Sequence, residues 1–290
     1  DDTAAPASYS TTNTQIAGVD EADRIEYNGD YLFVADLPVW TPSHGEVKKV
    51  RILARQNDYS LTEAATISLQ ENLNVAGMYL YKDILGVVSH SFQYYAMADI
   101  LLDSSPWQQP ENDTYIDIYG VAEPANPNTV SNIRIDGGLI NSRRIDNHLF
   151  IATQFVPNLE DLPDAGTSNR SLVDLYNATL AKNSSELVPK ITINGQTSDL
   201  YQLTDCLLPQ RATEQNGHTQ MVSVVKIDLD NPMNFSSLCL LTEAHGLFAS
   251  ADHLYLHARG EESTIVHKIS LGNEIRYQAT ASVVGTLGWQ

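Results

Sequence analysis

Three carboxylates lie close together near the start of the chain, at Asp20, Glu21 and Asp23. Calcium takes several oxygen ligands, and closely spaced carboxylates together with loop carbonyls supply them. The spacing is not that of an EF-hand loop, which needs acidic residues at alternate positions, a glycine and a distant glutamate. The favoured alternative is that the three side chains accept hydrogen bonds from backbone amides where a sheet begins, or face water. No cofactor is certain, and calcium is the metal ion that this pattern suggests.

Two adjacent arginines, Arg143 and Arg144, lie on a segment that the sequence predicts to be a strand. Side chains alternate between the two faces of a strand, so the two guanidinium groups should point to opposite faces. If this strand lines the central channel of a ring of sheets, one of the guanidinium groups could bind an anionic ligand in that channel. The favoured alternative is a structural ion pair with Asp20 or Asp23 across that channel.

The histidines and the known catalytic motifs give little support for an enzyme. His253 and His257 are four residues apart on one predicted strand and share a face, but no further zinc ligand is close in sequence. His245 fits a turn equally well. The sequence has no Gly-x-Ser-x-Gly elbow, no His-Glu-x-x-His and no phosphate-binding loop. Catalytic residues therefore stay unknown, and a non-enzymatic protein is favoured.

Cys206 and Cys239 are the two cysteines of the chain. A disulfide between them would close a loop of about 30 residues and stabilise the fold by roughly 3 kcal/mol. Two buried thiols are the alternative. We favour the disulfide, because Cys206 lies in a stretch rich in loop residues and other features point outside the cytoplasm.

A pattern of two short strands joined by a tight turn recurs along the chain. The first copy turns at Asn28-Gly29, a dipeptide that strongly favours a hairpin because both residues tolerate positive φ. In each copy a small or polar first strand precedes a turn with Asp or Asn and a strongly apolar second strand. Such self-similarity indicates a repeat architecture. The four copies span residues 18–36, 75–89, 141–153 and 246–258, with turns at Asn28-Gly29, Lys82-Asp83, Asp146-Asn147 and Ala251-Asp252.

Two further strand-like runs follow each copy, and many of them alternate apolar with polar residues, as half-buried strands do. Four antiparallel strands per unit, repeated, are the blades of a β-propeller, whose faces stack on neighbouring blades. The sequence therefore predicts an all-β fold of about four blades after an extended lead-in. The lead-in covers residues 1–14 and the propeller residues 15–290, with blades at about 18–70, 74–136, 139–241 and 245–285.

The third blade should carry a loop and short-helix insert at about residues 156–219. Within it, residues 171–181 have apolar side chains at helical spacing, which predicts a short surface helix. A smaller insertion lies at residues 94–111. Long insertions in propellers map to loops on one face, which is often the binding face.

The chain is strongly acidic, with Lys+Arg 17 against Asp+Glu 36 and a net charge of -19 in 290 residues. This charge disfavours nucleic acid and anionic membranes as partners, since both need clustered cations. No apolar run is long enough to span a bilayer. No signal peptide is visible, and the first residues look like a mature or trimmed end.

Residues 9–25, followed by Asn28-Gly29 and an apolar strand, resemble the opening of a bacterial family of secreted β-propeller domains that is distantly related to WD40 repeats. Residues 139–153, with the segment Ser142 to Asp146, resemble an internal motif of the same family. Residues 284–290 resemble the passage into a further blade. The resemblance covers the whole chain and implies a propeller and an exported protein, but no established activity.

Members of that family usually continue with more blades, so this chain is a fragment, a naturally short member or half of a ring. We expect an exported scaffold that binds a protein or glycan partner through loops on one face, with calcium as a structural ion. A propeller hydrolase or lyase with acidic residues at the channel mouth is one alternative. A structural module of a larger secreted protein is the other. Two copies pairing as a homodimer would complete a larger ring.

Overall fold

The computed structural model describes residues 16–37, 47–91, 112–157, 182–208, 220–259 and 262–285 of the chain. The regular elements of this part are β-strands and two short 3₁₀ turns. In chain order the strands are β1 (Val19–Glu21), β2 (Ile25–Tyr27), β3 (Tyr31–Ala35), β4 (Val47–Arg55), β5 (Leu61–Glu71), β6 (Leu73–Tyr81), β7 (Ile84–Ser91), β8 (Asp113–Gly120), β9 (Asn128–Asp136), β10 (Gly138–Ile145), β11 (His148–Phe155), β12 (Lys190–Ile193), β13 (Gln196–Asp199), β14 (Met221–Asp228), β15 (Phe235–Leu241), β16 (Gly246–Ala249), β17 (His253–Arg259), β18 (Ser263–Leu271) and β19 (Ile275–Val284).

These strands form four antiparallel sheets, numbered in chain order. Sheet 1 has the order β2-β3-β4-β5, and sheet 4 has the order β16-β17-β18-β19. Sheet 2 has the order β13-β12-β9-β8-β7-β6, and sheet 3 has the order β1-β10-β11-β14-β15. The prediction of an all-β fold built from about four antiparallel units is therefore confirmed.

Each sheet contains one four-strand unit, and tight turns at the predicted places join the first and second strands of each unit. These strands are β2 and β3, β6 and β7, β10 and β11, and β16 and β17. In the turn of sheet 1, Gly29 has a φ of 106°, a conformation that costs glycine little because it has no Cβ. Lys82 and Asp146 each have a φ of 52° in the turns of sheets 2 and 3. These turns place the apolar second strand beside the first, so that each unit presents two faces for packing.

The connections between strands differ in length at the two edges of the sheets. The connections from the second to the third strand run from residue 35 to 47, from 91 to 113, from 155 to 221 and from 259 to 263. Because the strands are antiparallel, these connections emerge at the same ends of the strands as the links from one sheet to the next. We call this rim of the stacked sheets, formed by strand ends, the upper edge. The first-to-second and third-to-fourth connections lie at the opposite, lower edge.

Hydrophobic clusters lie between successive sheets. One joins sheets 1 and 2 around Phe33 and Leu85, one joins sheets 2 and 3 around Ile116 and Leu149, and one joins sheets 3 and 4 around Leu254. Each of these five side chains is 0 % exposed. The sheets thus follow one another face to face, and stacking buries apolar surface that no single sheet could bury alone.

The segment of residues 16–24 crosses the first strands of two sheets before it enters a third; we call it the crossing segment. Its strand β1 pairs with β10 of sheet 3, with Val19 opposite Ile145. The Asp23 backbone then pairs with the Met78 backbone on β6 of sheet 2. From there the chain continues as β2 of sheet 1. The sequence pattern predicted one strand before the Asn28 turn, whereas the structure has two that belong to different sheets.

The insert of the third unit contains a hairpin that the sequence analysis did not predict. Strands β12 and β13 turn at Asn194-Gly195, and β12 pairs with β9 at the outer edge of sheet 2. The two 3₁₀ turns, Ser184–Glu186 and Leu203–Asp205, flank this hairpin. The predicted helix at residues 171–181 and the insertion at residues 94–111 lie outside the described residues.

Cys206 and Cys239 form a disulfide in the structure, as the sequence analysis favoured. Cys239 lies in β15, and the backbone amide of Leu207 donates a hydrogen bond to the Cys239 carbonyl. The disulfide and this hydrogen bond together fix the end of the insert to the outer strand of sheet 3. In the described part of the chain, no helix is long and apolar enough to cross a lipid bilayer.

Candidate functional site

Arg144 and Asp20 form an ion pair on the first strands of the sheets, where the crossing segment meets β10. The two residues lie opposite each other in the β1–β10 register. The Arg144 Nε and Nη2 groups both donate to Asp20 Oδ2, at 3.0 and 2.7 Å. The side chains are 18 % and 10 % exposed, respectively. The sequence analysis left open a ligand site or an ion pair, and the geometry brings these two residues together as a pair.

Arg143 lies opposite Glu21 in the same register. Its Nη2 is 3.5 Å from Glu21 Oε1, and its Nη1 donates to Asn141 Oδ1 at 2.8 Å and to the Ser142 carbonyl at 2.7 Å. Alternation along β10 thus gives each arginine its own acidic partner on its own face. Both guanidinium groups are engaged within the protein, which leaves few donors for an anionic ligand.

Side chains of sheet 2 pack beside these ion pairs. We call the Asp20–Arg144 and Glu21–Arg143 pairs, together with Tyr79, Tyr81 and Glu26, the inner region. The Tyr79 hydroxyl donates to Ser142 Oγ at 2.8 Å, and burial raises the pKa of Tyr79. The Arg144 guanidinium carbon lies 5.7 Å from the centre of the Tyr81 ring, within the range of a cation–π contact. The inner region therefore ties sheet 2, sheet 3 and the crossing segment together.

The crossing segment passes very close to sheet 2. A Cβ added to Gly77 would lie 2.5 Å from Ala22 Cβ, so only glycine allows this approach. Arg24 donates through Nη2 to the Val75 carbonyl and through Nη1 to the Asp36 carbonyl at 2.6 Å. These contacts hold the end of the crossing segment in one position against sheet 2.

Glu26 is a buried acid that the sequence analysis did not single out. The residue is 6 % exposed, and its Oε1 has no hydrogen-bond partner among the described residues. Burial raises the pKa of Glu26 to about 8, and the negative charges of Asp20 and Asp23 add to this, while Arg144 opposes it. Burial also raises the pKa of Asp23, together with the charges of Asp20 and Glu21. Alternation within β2, with Glu26 on the core face, is the signal that could have identified it.

The three acids of the predicted calcium site stand at successive positions along the crossing segment. Asp20 and Glu21 face Arg144 and Arg143, and Asp23 bridges to Met78 through its backbone. Within the described ranges, no group of three or more His, Cys, Asp or Glu side chains is placed to hold a metal ion. The arrangement as it stands neutralises two of the three carboxylates with protein cations.

A cleft of about 510 Å³ opens at the upper edge, between sheets 2 and 3. Its walls come from the starts of β8 and β10, the ends of β9 and β11, the insert before β12 and the link to sheet 4. Charged, polar and aromatic side chains line it together, among them Asp113, Arg134, Asp136, Gln154, Phe155, Lys190 and His245.

Most of the charges in the cleft are paired but remain partly exposed. Arg134 Nη2 is 2.7 Å from Asp113 Oδ2 and 3.6 Å from Asp136 Oδ1, and the Arg134 side chain is 44 % exposed. Lys190 pairs with Asp199 and donates to Ser185 Oγ at 2.8 Å. The cleft therefore presents a guanidinium, an ammonium and carboxylates to solvent, beside the ring of Phe155.

The histidines weighed in the sequence analysis do not converge in the structure. His253 Nδ1 lies 2.9 Å from Asp252 Oδ1 at a turn of the lower edge. His257 follows on the same face of β17, and burial and the nearby His245 lower its pKa. His245 accepts a hydrogen bond from the Arg259 amide at the upper edge. His245 and His257 are thus neighbours, whereas His253 lies at the opposite end of β17, and no third ligand joins the neighbouring two within the described ranges.

Comparison with known proteins places these features in a family context. Residues 9–290 match the sequence profile of a family described as "Beta propeller domain". No curated protein matches the chain. Among solved structures, the WD40 domain of coronin from Toxoplasma gondii is similar at 12 % identity over 96 % of this chain and 72 % of that chain, with a TM-score of 0.20. That TM-score is too low for the similarity to support an argument.

Proposed function

The chain belongs to the beta propeller domain family, and we propose that it is a non-enzymatic scaffold that binds a protein or glycan partner at the cleft of the upper edge. One observation carries this proposal. The cleft lies between two rigid sheets, at the edge from which the long second-to-third connections emerge. Binding residues are commonly carried on loops that a rigid scaffold positions.

The chemistry of the cleft fits a polar partner. Gln154 and Asp136 offer amide and carboxylate groups, and Arg134, which is 44 % exposed, adds guanidinium donors. Phe155 supplies an apolar surface in the same wall. Ligand sites generally combine such an apolar surface with a few polar groups that fix orientation. Sugar hydroxyls or the polar side chains of a protein loop meet both requirements.

Two parallel measurements test this proposal. The labelled chain is applied to a printed glycan array, and a photo-crosslinking amino acid is placed at Phe155 in the cells that make the protein. The matched control places the crosslinker at Tyr277, which is 37 % exposed on sheet 4, away from the cleft. We expect glycan binding that Arg134→Gln weakens, or a protein adduct that forms from position 155 and not from position 277.

The result that would overturn the proposal is equally specific. If the array shows no binding and both crosslinking positions give the same adducts, the cleft does not hold a partner. Arg276→Gln serves as a control for the array, because Arg276 pairs with Glu274 at the lower edge and both side chains are highly exposed. Loss of binding in this control as well would show that the effect is not local to the cleft.

Export of the protein is part of the same proposal. The Cys206–Cys239 disulfide supports it, because disulfides persist in oxidising compartments outside the cytoplasm. Cell fractionation combined with thiol alkylation before and after reduction tests this. Alkylation of both cysteines without prior reduction, in protein taken from the cytoplasm, would contradict export.

A structural calcium ion at Asp20, Glu21 and Asp23 is a secondary proposal. It is supported by the acidic spacing alone, and the arginine contacts of two of these acids compete with it. A melting temperature that rises with calcium and falls after chelation would support it. An unchanged melting temperature would remove calcium from the proposal.

Hydrolase or lyase activity is the alternative that the inner acids suggest. The raised pKa values of Glu26 and Asp23 are of the kind that acid–base catalysis uses. Glu26 is only 6 % exposed, however, so a substrate would have to displace the residues that bury it. Turnover of a polysaccharide panel that Glu26→Gln abolishes would favour the enzyme over the scaffold.

A further inference from the structure

Residues 182–208, the described part of the insert, run across the outer strands of sheets 2 and 3; we call them the strap. Near the middle of the strap, β12 pairs with β9 of sheet 2. At its end, the Leu207 backbone bridges Leu240 on β15 of sheet 3, and the Leu241 amide donates to the Leu207 carbonyl at 3.0 Å. The strap is therefore hydrogen-bonded to both of the sheets that form the cleft.

The first part of the strap is the outer wall of the cleft. Glu186, Val188 and Lys190 line the cleft. The Lys190 amide donates to Asp136 Oδ2 at 3.0 Å, and Asp136 Oδ1 lies 3.6 Å from Arg134 Nη2. The position of the strap therefore sets both the shape of the cleft and the arrangement of its charged groups.

The end of the strap faces its beginning across a small cavity. Residues of the two 3₁₀ turns, Ser184–Glu186 and Leu203–Asp205, line this cavity of about 150 Å³ together with Val188. Leu203 also packs against the apolar cluster to which Val188 belongs. A movement of the second turn therefore removes support from residues in the wall of the cleft.

The strap is held unevenly along its length. Tyr201 is buried, and its hydroxyl lies 3.0 Å from Ser223 Oγ on β14. Beyond it most residues up to 208 are exposed, among them Leu207 at 39 % and Leu208 at 64 %. Between described residues, two backbone hydrogen bonds at Leu207 and the disulfide at Cys206 join this end to β15. The disulfide is thus the main attachment of the strap after Tyr201.

The two cysteines of this attachment differ in burial. Cys239 is 1 % exposed within β15, whereas Cys206 is half-buried directly after the second 3₁₀ turn. Access decides which sulfur of a disulfide a thiol attacks. A thiol from solution therefore reaches Cys206 first.

We propose that the Cys206–Cys239 disulfide is a thiol-sensitive latch, and that its reduction frees residues 202–208 from β15 and loosens the outer wall of the cleft. This movement would have its hinge at Tyr201, which stays anchored in the core. The proposal concerns the shape of the cleft and does not depend on which partner the cleft binds.

The reductant is a thiol, and the chemistry is thiol–disulfide exchange. A thiolate attacks Cys206 Sγ and forms a mixed disulfide, while the original S–S bond breaks and the Cys239 sulfur leaves as a thiolate that takes up a proton. A second thiolate attacks the sulfur of the first reductant molecule, and Cys206 leaves and is protonated in turn. Two thiols are thereby oxidised to one disulfide, and the two cysteines gain two electrons and two protons.

Hydrogen exchange measured by mass spectrometry under native conditions tests the latch. The samples are the oxidised wild type, the wild type reduced with dithiothreitol, the same protein after re-oxidation, and Cys206→Ser. The matched control is dithiothreitol added to Cys206→Ser, which has no disulfide to reduce. Circular dichroism checks that every sample is folded, and iodoacetamide labelling during reduction reports which thiol is accessible.

Reduction and Cys206→Ser should each speed exchange at least about tenfold in residues 202–208 and in residues 183–190, because local opening becomes easier there. Strands β17 and β18 of sheet 4 should keep their exchange rates. Re-oxidation should restore the slow exchange, and dithiothreitol should not change Cys206→Ser. Iodoacetamide should label Cys206 before Cys239.

Three other results would overturn the proposal. Unfolding, or equally faster exchange in all four sheets, would mean that the disulfide stabilises the whole fold and is not a local latch. Faster exchange in residues 202–208 with no change in residues 183–190 would mean that the release does not reach the cleft. A disulfide that dithiothreitol reduces only in denaturant would be a permanent structural bond.

Discussion

Two arginine–aspartate pairs have the same contact distance but differ in how far the arginine is exposed. Arg144 and Asp20 in the inner region, and Arg134 and Asp113 in the cleft, each have an N–O separation of 2.7 Å. The aspartate is buried in both pairs, whereas the arginine side chain is 18 % exposed in the first pair and 44 % exposed in the second. The inner pair joins residues 124 apart in sequence, whereas the cleft pair joins residues 21 apart on adjacent strands.

On the function proposed above, the same chemistry serves two purposes in this molecule. The inner pair holds the crossing segment on sheet 3, so its loss would free a long-range connection. The cleft pair joins β8 and β9, which pair along their whole length, whereas β1 pairs with β10 at only three positions. A buried charge that loses its partner is costly, while an exposed one regains water. We therefore assign stability to the inner region and binding to the cleft.

The largest expected effect is on the free energy of unfolding when the inner pair is broken. Asp20→Asn leaves Arg144, whose side chain is 18 % exposed, without its anion and should lower the unfolding free energy by about 2–4 kcal/mol. Asp113→Asn leaves Arg134, which is 44 % exposed and has Asp136 Oδ1 at 3.6 Å, and should lower it by less than about 1 kcal/mol. Urea unfolding of both variants and of the wild type measures the two values.

A second substitution separates the ion pair from other roles of Arg144. When Asp20→Asn is added to Arg144→Gln, the orphaned charge is gone, so the double variant should be less destabilised than the sum of the single ones. Equal losses for Asp20→Asn and Asp113→Asn would contradict the division into an inner pair with a buried arginine and a cleft pair with an exposed arginine.

The next effect concerns the pH dependence of stability through Glu26. The folded pKa of about 8 lies above the ordinary value of 4.5, so the folded protein holds a proton that the unfolded chain releases. Stability from this group is complete below pH 4.5, falls as the pH rises towards 8, and stays low above it. Glu26→Gln removes the dependence and should stabilise the protein by on the order of 3 kcal/mol at pH 7.

Unfolding curves of the wild type and Glu26→Gln at several pH values test this sign. The gain from the substitution should vanish near about pH 4 and level off above about pH 8. Glu186→Gln is a control, because Glu186 lies in an exposed 3₁₀ turn with no buried residues. If the stabilisation by Glu26→Gln is constant with pH, or increases as the pH falls, then Glu26 is not protonated in the folded protein at neutral pH.

The sequence predicted the fold better than the inner region, for a physical reason. Turns such as Asn28-Gly29 are specified by residues within a few positions, and the apolar second strands follow directly from alternation. The pairing of Val19 with Ile145 depends on where two distant segments meet, which no local pattern contains. The split of the first predicted strand into β1 and β2 therefore could not be predicted.

Part of what was missed did have a local signal. Asn194-Gly195, between the apolar run of β12 and the polar run of β13, is the same hairpin signal as Asn28-Gly29. Asn194 has a φ of 51° and Gly195 a φ of 82°, as that turn requires. What the dipeptide does not contain is the sheet that the hairpin joins, since β12 pairs with β9 of the preceding unit.

A smaller effect is expected where the crossing segment approaches sheet 2. Gly77→Ala would place a Cβ 2.5 Å from Ala22 Cβ, so the segment must shift, and overpacking of this kind costs about 1–3 kcal/mol. Gly86→Ala on the adjacent strand is the matched control, because its added Cβ would have no neighbour closer than 3.9 Å. If both variants are equally stable in thermal unfolding, the close approach does not hold the segment.

The smallest effect on stability, and the sharpest test of the comparison, comes from exchanging arginine for lysine in both pairs. Lysine keeps the charge but lacks the planar fork through which each arginine contacts one Oδ2 of its aspartate with both Nε and Nη2. Water can replace the lost donor at Arg134, which is 44 % exposed, more readily than at Arg144, which is 18 % exposed. Arg144→Lys should therefore still destabilise the protein measurably, whereas Arg134→Lys should change the unfolding free energy by less than about 0.5 kcal/mol. In the cleft the same exchange should weaken partner binding, because an exposed guanidinium is there to contact the partner. A loss of stability at Arg134 as large as at Arg144, with binding unaffected, would reverse the two assignments and move the binding site away from the cleft.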